Sequence, residues 1–238
     1  MATQWVSRRQ DQIIQLSTAE QENNVTCLWE RLSPLGYTAE AVAAIAGNMQ
    51  YEGLLNPAQY ESGYNYSLSA GGGLCGWTPI YDASDTYYRH LKNWCDLQGL
   101  NYEDGDAQCS YLNYELTDWN NVERFFLNNL APTVTYPITY PVQPTMTAAS
   151  FITANYQSSI GFYSVDEYVE YLAGVWILYY EHPANPTDPN SGVSVRQSAA
   201  VSWYNFLQNL PPTPPTPTTR RKMPIWMMCR KNKTIRRF

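Results

Sequence analysis

Gly47-Asn48-Met49-Gln50-Tyr51-Glu52-Gly53-Leu54-Leu55-Asn56-Pro57 is the stretch on which the reading of this chain turns. Upstream, from Thr38 to Gln50, alanines fill a helical pattern, with Thr38 placed to cap its start. Val42, Ile45 and Met49 recur three and four residues apart, so they share the face predicted to be buried. Glu52 falls on the same stripe, three residues beyond Met49. A carboxylate that continues an apolar stripe is costly unless it has a partner or a task. The last turn of a helix is also the negative end of its dipole. Desolvation and dipole both favour the protonated carboxyl, the form a general acid needs near neutral pH. The alternative is a helix-end glutamate pointing into solvent. Gly53 then ends the helix, and Asn56-Pro57 turns the chain away.

About twenty residues further on stands Gly73-Leu74-Cys75-Gly76-Trp77-Thr78-Pro79. Glu52-Gly53 with Asn56-Pro57, followed by this segment, resembles the phage tail lysozyme family. In the wider lysozyme-like superfamily a helix-terminal Glu in an E-S-G-x-N-P context precedes a G-L-x-Q segment. Two later stretches extend the resemblance. Asp106 to Leu116 resembles the family's D-x-Q-x-x-x-L-x-x-E-L run, and Glu181-His182-Pro183 followed by Arg196 and Ala199 resembles its closing E-x-P and R-x-x-A elements.

The resemblance covers about residues 18–210. It implies a mainly α, lysozyme-like (α+β) domain: helices with a small loop or hairpin lobe bordering a glycan groove. It further implies cleavage of the β-1,4 glycan bond of bacterial peptidoglycan by a protein of the phage tail, with Glu52 protonating the glycosidic oxygen. Two routes are open for the second step. A second carboxylate, Glu61, activates water, or the sugar's own hydroxyl attacks and leaves an anhydro end. Glu61 also reads as a solvated loop acid. Asn56, Tyr60, Gly73, Leu74 and Trp77 are the candidate substrate-binding residues. The implied partners are peptidoglycan glycan strands and other virion proteins.

The sequence departs from the family at Gly76, where a Gln is usual. Glycine offers no amide to a sugar or a water, so Gly76→Gln is expected to raise turnover if the backbone there does not need a positive φ. The same departure favours the alternative function, a non-catalytic lysozyme-like tail module that binds wall glycan or other virion proteins. A third reading, a Cys75 thiolate paired with His90 or His182, lacks any second peptidase element.

Composition sets the outer bounds. The chain has 238 residues, 20 of them Tyr and 8 Trp, with only 15% charged. Such a mixture suits either aromatic surface for sugars or a packed core rimmed by tyrosine. Residues 1–219 hold 7 Lys/Arg against 21 Asp/Glu, whereas 220–238 hold 8 Lys/Arg and no acid. An acidic body of this kind argues against nucleic-acid binding. Five cysteines and two histidines show no zinc-like spacing, so no metal or cofactor is expected. Buried free thiols are the default, with Cys95–Cys109 as a possible pair. No signal peptide is visible, and the apolar runs are too short to span a bilayer.

The order of elements follows from the same rules. Residues 1–17 form a polar segment that packs on the domain or serves an assembly contact. Ser17 or Thr18 caps a helix to Leu32 with Val25, Leu28 and Leu32 on one face. Residues 58–73 read as a loop, and Thr86 to Trp94 as a helix. Asp106 is expected to cap the helix that buries Leu112 and Leu116. Prolines make 131–147 an extended crossing or an insertion. Ser164 caps the next helix, Arg196 opens the last one, and Glu181 with Arg196 reads as a structural ion pair. Residues 211–219 are a stiff Pro/Thr linker, and 220–238 a basic tail: a disordered extension, a stub of a further domain, or a patch for anionic polymer or membrane.

Overall fold

The computed structural model describes residues 3–9, 15–117, 146–159, 161–181 and 192–211. Helix α1 (Thr18–Leu32) begins with a reciprocal capping box: Ser17 Oγ accepts the amide of Glu20, whose carboxylate accepts the amide of Ser17. Val25, Leu28 and Leu32 are fully buried. A 3-10 turn at Ser33–Leu35 and left-handed Gly36 reverse the chain into α2 (Ala39–Glu52), where Thr38 Oγ1 accepts the amide of Ala41.

Helix α2 is buried from Ala41 to Met49 without interruption, not on one face only. Small residues explain the difference. Ala41, Ala43, Ala44, Ala46 and Gly47 let α6 (Val165–Trp176) and α7 (Val193–Gln208) close in where larger side chains would hold them off. At Gly47 a Cβ would stand 2.5 Å from the carbonyl oxygen of Arg196 and 2.7 Å from the amide nitrogen of Ala200. The two backbones therefore touch. Burying Val42, Ile45 and Met49 stabilises the packing by about 1.5–3 kcal/mol each.

The remaining helices are α3 (Leu91–Gln98), α4 (Gly105–Thr117) and the short α5 (Ala148–Ile152). Leu91, Cys95, Ala107 and Tyr111 join α3 to α4 in a second, smaller apolar cluster. Helix α3 starts five residues later than Thr86 because the preceding segment is held otherwise. Asp85 accepts the amides of Tyr87, Arg89 and His90, and Tyr88 takes a φ of +56°. At the start of α4 it is Asp104 that caps, accepting the amide of Asp106, while Asp106 itself accepts from Trp5 Nε1 and Arg31 Nε.

Between α2 and α3, residues 53–90 form the lobe, and it takes the loop form. Its pairing is limited to two isolated antiparallel bridges, Tyr60 with Gly72 and Gly72 with Trp77. Residues 3–9 lie across the domain as a strap held by asparagine side chains. Asn24 bonds both the N–H and the C=O of Val6, and Asn56 does the same for Arg8. Cys27, Cys75, Cys95 and Cys109 are buried free thiols, so Cys95 and Cys109 do not pair. Among the described residues no helix is long and apolar enough to cross a membrane. The crossing at 131–147 (save Met146 and Thr147), His182, the linker from 212 and the basic tail lie outside the described residues.

Candidate active site

Helix α2 runs on to Glu52, and Gly53 closes it, as expected, with its amide on the carbonyl of Met49. The Glu52 side chain, 28% exposed, borders a cleft of about 510 Å³. The lobe supplies one wall with Cys75, Gly76, Trp77, Thr78 and Pro79, followed by Arg89 and His90. Helix α4 contributes Tyr111 and Glu115, and the end of α6 contributes Tyr180 and Glu181. Three glutamates from three separate elements thus meet in one cleft.

Glu52 has a partner that the sequence reading assigned elsewhere. Arg196 Nη2 donates to Glu52 Oε1 in an ion pair, and Nη1 donates to Asn48 Oδ1 at 3.2 Å. The guanidinium is 3% exposed and lies 4.1 Å from the centre of the Tyr51 ring. It comes from the first turn of α7, packed against α2 at Gly47, so the helix contact aims it at Glu52. Glu52 is therefore not an unpartnered carboxylate on an apolar stripe. The expected Glu181–Arg196 pair is likewise replaced, because Arg196 is bonded to Glu52 and Glu181 accepts the indole N–H of Trp176 at 2.8 Å.

Glu181 stands on a π turn, Ile177–Glu181, that prolongs α6. Widened turns of this kind occur often at functional sites. Burial, and next the negative charge of Glu52, push its carboxyl up to about 8; the Trp176 bond and Arg196 oppose the rise. Glu115, 3% exposed, is satisfied by Tyr180 Oη at 2.5 Å and Trp77 Nε1 at 3.0 Å. Burial and the nearby Glu115 hold the Tyr180 phenol well above its ordinary range. Cys75 is pushed well above 9 by burial and by the charges of Glu181 and Glu115, so it stays a neutral thiol. That removes the thiolate nucleophile.

Of the candidates read from the sequence, the cleft brings together Glu52 and Trp77. Glu61 does not line it; its side chain is on the exposed loop, where Oε2 accepts the amide of Gly71 at 3.1 Å. Asn56 is fully buried and spends its amide on Arg8 and Ala58. Tyr60 is 2% exposed, with its hydroxyl on Tyr102 and Glu103. Leu74 is fully buried, and its amide donates to Gln108 Oε1. Gly73, also buried, carries a φ of +78°, and a Cβ there would meet Trp77 and Gln108 at 3.0–3.1 Å. These four brace the lobe from beneath rather than face a ligand, because a polar group in a small buried loop must first satisfy the loop's own backbone. Glu115, Glu181, Tyr180 and Arg196 were not singled out for the site. Their signal was present only as motif positions far from Glu52 in the chain.

A mainly helical domain whose central helix ends in a carboxylate at a loop-walled cleft is of the lysozyme-like class. The chain belongs to the phage tail lysozyme family: a sequence model of that family matches residues 23–207. It is also similar to Morphogenesis protein 1 of Bacillus phage B103, with 29% identity over 192 residues. That match takes in 81% of this chain and 41% of the relative, so the chain spans about two fifths of that protein's length.

Proposed function

We propose that this chain cleaves the β-1,4 glycan bond of bacterial peptidoglycan as a virion-associated component of a phage tail, with Glu52 as the general acid. The observation that carries the reading is the placement of Glu52, on the last turn of the central helix and at the wall of the cleft beside Gly76 and Trp77. Trp77 lines the cleft with an aromatic ring whose indole N–H is fixed by Glu115 and Tyr180. Sugars stack on such surfaces. Glu61 is not at the cleft, so the second step falls to Glu52 itself once it has given up its proton. As a carboxylate it takes a proton from a water, giving a reducing end, or from the sugar's own hydroxyl, giving an anhydro end. Wall glycan and neighbouring virion proteins are the partners this reading supplies.

Purified protein on purified cell walls, with products read by mass spectrometry, tests it and distinguishes the two outcomes. Glu52→Gln should lower turnover by about 10²–10⁴ while the thermal unfolding curve stays cooperative. Unchanged turnover in the folded variant would sink the assignment. No released sugar from several wall types would favour a module that binds glycan without cutting it.

A further inference from the structure

Glu52 is paired with the Arg196 guanidinium, yet a general acid has to enter the reaction carrying a proton. The question is where that proton resides. The cleft holds one further carboxyl with the right surroundings. Glu181 lines the same cleft, accepts the indole N–H of Trp176, and has Glu52 as its leading charged neighbour among the described residues. Resting on the reading of Glu52 as the acid, we propose that Glu181 is the proton store for Glu52. In this scheme Arg196 pairs with whichever of the two carboxyls is ionised.

The groups facing Glu181 make one proton shared by two carboxyls the stable arrangement. From α2 comes Glu52, from α4 Glu115 and from α7 Arg196; Trp176 belongs to its own helix. Cys75 and Tyr180 add no charge at neutral pH, since both are held above their ordinary ranges. Arg89 and His90 stand on the lobe wall of the same cleft. Two carboxyls that line one cleft do not both ionise cheaply. In the resting arrangement the proton is on Glu181 and the guanidinium on Glu52. When glycan fills the cleft and displaces water, the proton passes from Glu181 to Glu52, and the Arg196 hydrogen bond passes from Glu52 to Glu181. Glu52 then donates that proton to the glycosidic oxygen. The proton it later takes from water or the sugar hydroxyl restores the starting count.

The sign is fixed by the raised carboxyl. The shared proton is present below about 8 and lost as pH rises through that value, so activity should fall on that side. Glu181→Gln keeps an acceptor for Trp176 but holds no exchangeable acid proton. Its basic limb should move down by about one unit or more, with at least roughly tenfold lower turnover at neutral pH. Trp176→Phe removes the bond that favours the ionised form, so its limb should move up. A positioning or structural role would scale the rate without moving either limb, and that result would overturn the proposal. A readout independent of activity is the carbonyl stretch of the protonated acid in infrared difference spectra between about pH 6 and pH 9. It should titrate near 8 in the wild type and vanish in Glu181→Gln. A wild type that releases no sugar sinks the activity reading alone; absence of the infrared titration sinks the proton store.

Discussion

A Cβ at position 76 would lie 3.3 Å from Oε2 of Glu52, and the backbone there holds φ at +60°. Both facts bear on the family's usual glutamine. Any L side chain at this position carries a left-handed strain of about 1–2 kcal/mol. Its first carbon also sits against the proposed acid. The expectation that Gly76→Gln raises turnover is therefore reversed: the condition attached to it, freedom from positive φ, is not met. Gly76→Gln should lower the melting temperature and reduce wall digestion, because the added side chain displaces the Glu52 carboxylate from its pair with Arg196. Turnover equal to or above wild type, measured on the same walls, would show that the loop relaxes to accept the amide.

At the scale of elements, the strap of residues 3–9 shows what the lobe's buried polar groups are for. Among the described residues these have no strand partner, and asparagine side chains stand in for one. Asn24 also donates to the carbonyl of Leu55, and Asn56 follows directly on Leu54 and Leu55, whose φ values of +53° and +57° make a tight elbow just after Glu52. The strap thus fixes the bend that carries the chain away from the proposed acid. Asn56→Ala leaves the N–H and C=O of Arg8 and the N–H of Ala58 without that side chain, at about 1–3 kcal/mol for each buried group left unmet. The melting temperature should fall clearly while KM for wall glycan stays near wild type. The opposite pattern, a raised KM with unchanged melting, would return Asn56 to the substrate.

For the whole molecule the relevant asymmetry is one of charge. The body through residue 219 carries 21 acids against 7 bases, and the last nineteen residues carry only bases. The core is closed by α7 with Trp203 and Leu207 buried, and Leu210 packs at its margin. A chain ending after Leu210 should therefore unfold cooperatively and retain wall digestion. Its association with anionic walls should drop most at low salt, where screening of the missing basic tail would have been least. Co-sedimentation with walls at two ionic strengths measures this, and a broad, non-cooperative melt of the shortened chain would show that the tail contributes to the core.

The helix caps at Ser17, Thr38 and Ser164, the Val25–Leu28–Leu32 face, the central helix and the place of Glu52 at its end were legible in the sequence. Each depends on residues within a few positions of one another, where helix periodicity and capping chemistry act. The burial of α2 on all sides was not legible, because alanine and glycine mark close approach only once the approaching backbone is known. The company Glu52 keeps was decided by tertiary structure alone. Asn48 is four residues away, but Arg196 is 144 residues on, and Glu115 and Glu181 arrive on two further helices. Charge interactions depend on distance through space, and the packing of α2 against α7 at Gly47 sets that distance. The sequence determined which residue stands at the end of the helix; the fold decided which charges surround it.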